Sequence, residues 1–205
     1  MPVIAKQSTL FTQAIADHQK VIEALASQQQ VLERIADAMT QAILSGKKVL
    51  WCGNGGSAAD SQHLAAEFVG RFRRERRGLP SMALTTDTSV LTSVANDYGF
   101  EEIFRRQVQA HCMPGDVVVG ITTSGNSRNV CAALREARVM GAFTVGFTGT
   151  GGGTLGTIAD VMLCVPSDDT ARIQEAHILC GHVLCDWVEV AVCERADAER
   201  EGLTQ

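Results

Sequence analysis

In the stretch WCGNGGSAADSQHLAAEFVGRF, residues 51–72, His63 and Glu67 stand four positions apart. On a helix that spacing puts an imidazole and a carboxylate on one face, a turn apart. Such a pair can move protons for a bound ligand, or it can be an ordinary surface pair. The neighbours Leu64, Ala65, Ala66, Phe68 and Val69 are apolar, so the helix that carries the pair is mostly buried. A buried carboxylate needs a partner or a purpose. A second set lies in ARIQEAHILCGHVL: Arg172, Gln174, Glu175, His177 and His182. Gln174 and His182 are eight residues apart, about 12 Å along a helix axis and about 80° round it. Their side chains can converge on a point between them, whereas His177 reads as a satisfied core or interface histidine.

The elements that must position these groups follow from periodicity. Residues 3–45 repeat with a helical period, and ASQQQ at 26–30 separates two helices. Ile15, Ile22 and Leu25 form one apolar stripe; Val31, Ile35, Met39 and Ile43 form another; Gly46 ends the second helix. Five apolar runs follow, at 48–53, 81–86, 116–123, 143–149 and 160–166. Helical patterns at 57–70, 87–111 and 127–140 lie between them, with only a short piece near TLGTIA. This alternation predicts an α/β fold: a five-stranded parallel sheet flanked by helices, in a flavodoxin-like sandwich. The whole of 1–205 reads as one domain, with N-terminal helices over 1–46 and the α/β core over 47–205. A last helix, roughly 171–195, is apolar nearly all round: Ile173, Ile178, Leu179, Val183, Leu184, Trp187, Val188 and Val192. It must be buried, in the core or against another subunit.

In such a sheet ligands bind beyond the carboxyl ends of the strands, where the strand order reverses. The order 2-1-3-4-5 would set two glycine-rich loops side by side: CGNGGSA (52–58) and TTSGNS (122–127). Each opens a helix, whose free N–H groups and positive end favour a phosphate. Thr122, Thr123, Ser124 and Ser127 add hydroxyls, which makes the second loop the better phosphate clamp. Gly53, Gly55 and Ala58 also fit the dinucleotide pattern G-x-G-x-x-A. The acidic residue expected about 20 positions on is missing, since that window falls in RRERRGLP. The P-loop pattern is absent too, so no nucleotide cofactor is expected.

Composition narrows the setting. A net charge of -5 gives no reason to expect a nucleic-acid partner. Seven cysteines without a C-x-x-C pair read as buried free thiols in a reducing cytosol. No secretory leader or membrane span is expected, which makes the cytoplasm the expected location. RFRRERR carries five arginines within 71–77; it reads as a solvated helix end and loop, or else as an interface or a steering patch for an anionic substrate.

Four segments in order, GNGGSAADSQHLAAEFVGRF, ANDYGF, TTSGNS and SDDTARIQEAHILCGH, resemble the SIS-domain phosphoheptose isomerases over nearly the whole chain. The resemblance implies conversion of sedoheptulose 7-phosphate to D-glycero-D-manno-heptose 7-phosphate through an enediol. That is the entry to ADP-heptose for lipopolysaccharide core or related surface glycans. It implies Glu67 as base and His182 as acid. It implies substrate contacts at Asn54, Gly55, Gly56, Glu67, Asn96, Asp97, Thr122, Thr123, Ser124, Ser127 and Gln174. Some relatives bind zinc at the positions of His63, Glu67, Gln174 and His182; two imidazoles and a carboxylate suit zinc, a glutamine amide less so. Four subunits are implied as well, and the apolar last helix and N-terminal pair give a physical motive for a homotetramer. Thr122 stands where many relatives have Ser and keeps the hydroxyl. Gly181 costs its helix about 1 kcal/mol relative to Ala, a cost that fits a close helix approach beside His182.

Three rivals are weighed. A DnaA-associating, non-catalytic SIS-domain replication initiator shares much of the pattern but lacks the acid at the position of Glu67. A sugar-phosphate-sensing regulator would carry an added DNA-reading domain. A nicotinamide oxidoreductase lacks its acidic partner, as above.

Overall fold

The computed structural model describes residues 3–202; residues 1–2 and 203–205 of the expected 1–205 span lie outside the described residues. Five strands form one all-parallel sheet: β1 (Val49–Gly53), β2 (Ser81–Ala83), β3 (Val117–Ile121), β4 (Phe143–Thr148) and β5 (Val161–Cys164). Their order is β2-β1-β3-β4-β5, as the doubly wound pattern predicts. The middle strands are buried throughout, which is why they read as unbroken apolar runs. Successive side chains point to opposite faces of a strand. Val49 and Trp51 therefore enter one apolar layer, and Leu50 and Cys52 the other.

Seven α-helices cover the sheet. α1 (Val3–Leu25) and α2 (Gln29–Leu44) are joined by a short 3₁₀ turn, Ala26–Gln28, where the sequence predicted a break. α2 buries Ile35, Met39 and Ile43, and Gly46 turns the chain with φ 73°. α3 (Gly56–Val69) launches from the loop after β1. The helix expected over 87–111 is instead three pieces: α4 (Thr88–Tyr98), a 3₁₀ turn Phe100–Glu102 and α5 (Arg105–His111). Gly99, at φ 95°, takes a backbone shape that no helix continues through. α6 (Arg128–Val139) follows β3, and the short piece near TLGTIA is a 3₁₀ turn, Gly153–Thr157.

α7 (Thr170–Gly202) packs against α1, α2 and α3. Ile173, Leu184, Val188 and Val192 are buried, but Leu179, Val183 and Trp187 are about 40% exposed. The all-round apolarity thus resolves into a core face and an open face. By length and composition the stretch Thr170–Glu199 is long and apolar enough to cross a membrane, contrary to the expectation of no such run. Half of its most apolar window is buried, as in the core helix of a soluble fold. All seven cysteines are free, and five are buried.

Candidate active site

β1 and β3 are neighbours, with Gly53 level with Ile121, so the loops that follow them leave the sheet side by side. They are tied together by a reciprocal amide pair. Asn54 Nδ2 donates to Asn129 Oδ1 at 2.9 Å, and Asn129 Nδ2 donates to Asn54 Oδ1 at 2.8 Å. Asn129 is buried in the first turn of α6. Its place two residues after TTSGNS is the signal that the sequence offers for it.

In the second loop the Thr122 hydroxyl lies 2.8 Å from that of Ser127 and 3.4 Å from that of Ser124. Ser127 is the N-cap of α6 but makes no side-chain capping bond. The positive end of α6 and a cluster of hydroxyls therefore face the same loop. Thr123 is half-buried beside them, and its carbonyl receives the Gly149 N–H at 3.0 Å. A Cβ on Gly149 would meet that carbonyl at 2.8 Å and the Ile173 side chain at 2.6 Å, so the start of α7 closes over this loop.

α7 also closes over the first loop. Gly56 carries the Gln174 amide so tightly that any Cβ there would overlap it. Further along, α3 and α7 cross at Leu64 and Gly181: a Cβ on Gly181 would fall 2.5 Å from Leu64 Cδ2. The glycine that weakens α7 is thus what lets α3 approach. The residues beside that crossing are His63 and His182.

The crossing brings the charged groups together. His63 Nε2 lies 2.8 Å from His182 Nε2 and 3.4 Å from Glu67 Oε1. Only one of the two facing nitrogens can carry the hydrogen when both rings are neutral. The Phe72 ring stacks on His182 with centroids 5.4 Å apart, and the Arg73 guanidinium lies over the Phe72 ring, 5.1 Å from its centroid. Burial first, then the neighbouring His63, hold the His182 pKa below the usual histidine range. Asp60, one turn before His63, has its carboxyl pushed up to about 6 by burial, against the opposing pull of His63. One of its oxygens is buried without a hydrogen-bond partner.

His63, Glu67 and His182 each offer a donor atom, and all three atoms lie within 4.8 Å of one another. Two imidazoles and one carboxylate at that spacing fit a zinc ion. Gln174 sits on Gly56, on the same helix as His182.

Asn96 and Asp97 are set apart. They are exposed near the end of α4, where Asn96 Nδ2 donates to Asp97 Oδ1 at 2.8 Å. Among the described residues no hydrogen bond joins either of them to the two loops or to α7. His177 is fully buried; its Nε2 lies 3.1 Å from the Thr148 carbonyl, but its Nδ1 has no partner. It is therefore a core histidine satisfied at one nitrogen only.

The sequence signature of the SIS domain matches residues 11–149. The phosphoheptose isomerase of Aquifex aeolicus is 60% identical over 82% of this chain and 87% of its own length. That of Burkholderia pseudomallei is 50% identical over 91% and 96%. The solved structure of the phosphoheptose isomerase GmhA from Neisseria gonorrhoeae matches with a TM-score of 0.85 at 40% identity, covering 90% of this chain and 99% of that one.

The chain belongs to the SIS-domain phosphoheptose isomerase family. It is an isomerase of carbohydrate metabolism, and the non-catalytic rival is not favoured. Within the family fold, the arginine cluster is mostly the solvated helix end and loop expected of it, with one buried exception. Arg71, Arg73, Arg74 and Arg77 are exposed, and Arg73 and Arg74 each pair with Asp186 on α7, at 2.9 and 2.8 Å. Arg76 is almost fully buried, 3.1 Å from the fully buried Glu189. The signal for Glu189 was a lone acid in the apolar run WVEVAV.

Proposed function

We propose that the protein converts sedoheptulose 7-phosphate to D-glycero-D-manno-heptose 7-phosphate, the first step toward ADP-heptose for lipopolysaccharide core or surface glycans. The observation that carries this reading is the convergence of Glu67 and His182 where α7 crosses the helix launched from one donor-rich loop. The sugar phosphate's charged end suits the hydroxyls of Thr122, Thr123, Ser124 and Ser127 and the positive end of α6. Asn54, Gly55, Gly56 and Gln174 lie beside that loop for the sugar hydroxyls, with Asn96 and Asp97 as further substrate contacts. The Glu67 carboxylate takes a proton from C1 of the ketose, and His182 gives one to the C2 oxygen, leaving an enediol. The O1 proton then leaves as C2 gains one, which yields the aldose with no net change in atoms. A half-buried carboxylate beside an imidazole is the kind of pair that makes such transfers.

His63, Glu67 and His182, with Gln174 as a weaker fourth donor, would hold a zinc ion. A bound zinc would supply Lewis-acid polarisation of the sugar oxygens. We also place the protein in the cytoplasm, a reading supported by its unpaired cysteines. A homotetramer is supported by the open apolar face. Leu10, Phe11 and Ile15 on α1 are exposed, and Leu179, Val183 and Trp187 on α7 line a groove with Ile22, Leu25 and Leu32.

The deciding experiment is incubation with sedoheptulose 7-phosphate in D2O, followed by NMR. Deuterium entering at C2 with formation of the aldose is expected; no turnover overturns the reading. Chelation followed by return of zinc in the same assay tests the metal, with recovery of activity expected. Light scattering tests the four-subunit state.

A further inference from the structure

Glu189 is fully buried in α7, yet its carboxylate is fully engaged. Oε1 accepts the Phe72 N–H at 2.9 Å, and Oε2 accepts those of Arg73 and Arg74 at 2.7 and 2.8 Å. Burial by itself would raise this carboxyl; the three N–H donors and Arg76 outweigh it and hold it low. Arg76 completes the arrangement from the other side. Its Nη2 donates to the Glu67 carbonyl at 2.9 Å and its Nη1 to the Phe68 carbonyl at 2.8 Å. A helix leaves its last carbonyls unpaired, and here a buried guanidinium caps them. One ion pair therefore grips both the backbone of Glu67 and the segment that lays Phe72 on His182. A buried ion pair is weak grounds for a stability role, because an apolar pair often serves as well. An apolar pair could not hold three backbone N–H groups of a turn, which would then be left unpartnered.

We propose that Arg76 and Glu189 are positioning residues, which set Glu67 on α3 against His182 on α7 through the Glu67 carbonyl and the Phe72 ring. This rests on the reading of Glu67 and His182 as the proton-transfer groups. Neither Arg76 nor Glu189 touches the reacting atoms.

The test compares Glu189→Gln, Arg76→Lys, Phe72→Leu and the double variant Phe72→Leu/Glu189→Gln in the full protein as purified. Glutamine keeps the size but loses the charge and one acceptor. Lysine keeps the charge opposite Glu189 but lacks the planar fork that reaches four carbonyls, and it carries the test should Glu189→Gln fail to fold. Two quantities are read: kcat and KM with the sugar phosphate, and the NMR signals of the His182 ring in ¹³C-histidine protein, assigned by their loss in His182→Gln. In Glu189→Gln or Arg76→Lys we expect kcat to fall on the order of 10- to 100-fold with KM little changed, as a small misplacement of reacting groups does. The His182 signals should move in the direction seen in Phe72→Leu, where the stacked ring is lost. The double variant should lose little more than the larger single loss, because both act through one contact. An unchanged kcat, or unmoved His182 signals in a folded variant, overturns the proposal. Glu67→Gln in the same assay separates the two failures. If it is inactive while Glu189→Gln is fully active, positioning alone falls. If it turns over normally, the reading of the site falls and the positioning role with it.

Discussion

Glu67 with His182 and Asn96 with Asp97 are two polar pairs in one chain, and they are held in opposite ways. The first sits where α3 and α7 touch at Leu64 and Gly181, with a guanidinium capping the turn and a stacked ring behind the imidazole. The second rests near the end of α4, a helix with no fully buried residue, and its members bond to each other. Groups proposed to exchange protons must keep their geometry to a fraction of an ångström, and the crossing of α3 and α7 supplies that constraint. Groups that only contact a substrate's periphery can stand on the surface. The contrast separates a pair that the folded chain fixes by packing from a pair that it merely displays.

Four changes test that contrast. The largest effect is expected for Glu67→Gln, which removes the proposed base without altering size: kcat should fall on the order of 10²- to 10⁴-fold, measured by proton exchange in D2O. Retained turnover would break the distinction at its strongest point. The next concerns α7 away from the site. Burial depresses the His177 pKa from 6.5 to about 4. Between those values the unfolded chain binds a proton that the folded one excludes, so stability is full above about pH 6.5 and declines as pH falls toward 4. The loss is on the order of 3 kcal/mol. Urea unfolding at two pH values should show this slope, and His177→Gln should flatten it.

Gly181→Ala drives a methyl against Leu64, which is fully buried and has little room to move. The gain in helix propensity, about 1 kcal/mol, is smaller than the usual cost of overpacking, so a net loss of about 1 kcal/mol is expected. Gly181→Ala should cost less in a Leu64→Ala background than in the parent chain, read from denaturation midpoints. The smallest effect on stability belongs to Asp97→Asn, expected within about 0.5 kcal/mol because the residue is exposed. Its consequence should appear in KM for the sugar phosphate instead. A large drop in melting temperature would show that α4 is more firmly held than its exposure implies.

Much of this was legible in the chain. Alternating apolar runs and helical stretches dictated a parallel sheet, and the strand order placed two loops together. The expected helix over 87–111 was less well read, because Gly99 within it is a terminator. The arginines of 71–77 were read by charge alone. Their partners, Asp186 and Glu189, lie more than a hundred residues further on, and no local pattern links a turn to a distant helix. Asn129 escaped for the same reason, since its partner Asn54 is on another strand's loop.

By itself the sequence determined which groups exist and which share an element: His63 with Glu67 on one helix, Gln174 with His182 on another, and hydroxyls around a glycine turn. Periodicity is a local property, and helix and strand geometry convert it directly into faces. Tertiary structure alone decided that the two helices meet where one has no side chain, so that His63 and His182 face each other at 2.8 Å. That outcome depends on close packing between segments far apart in sequence, where a single missing Cβ sets the approach.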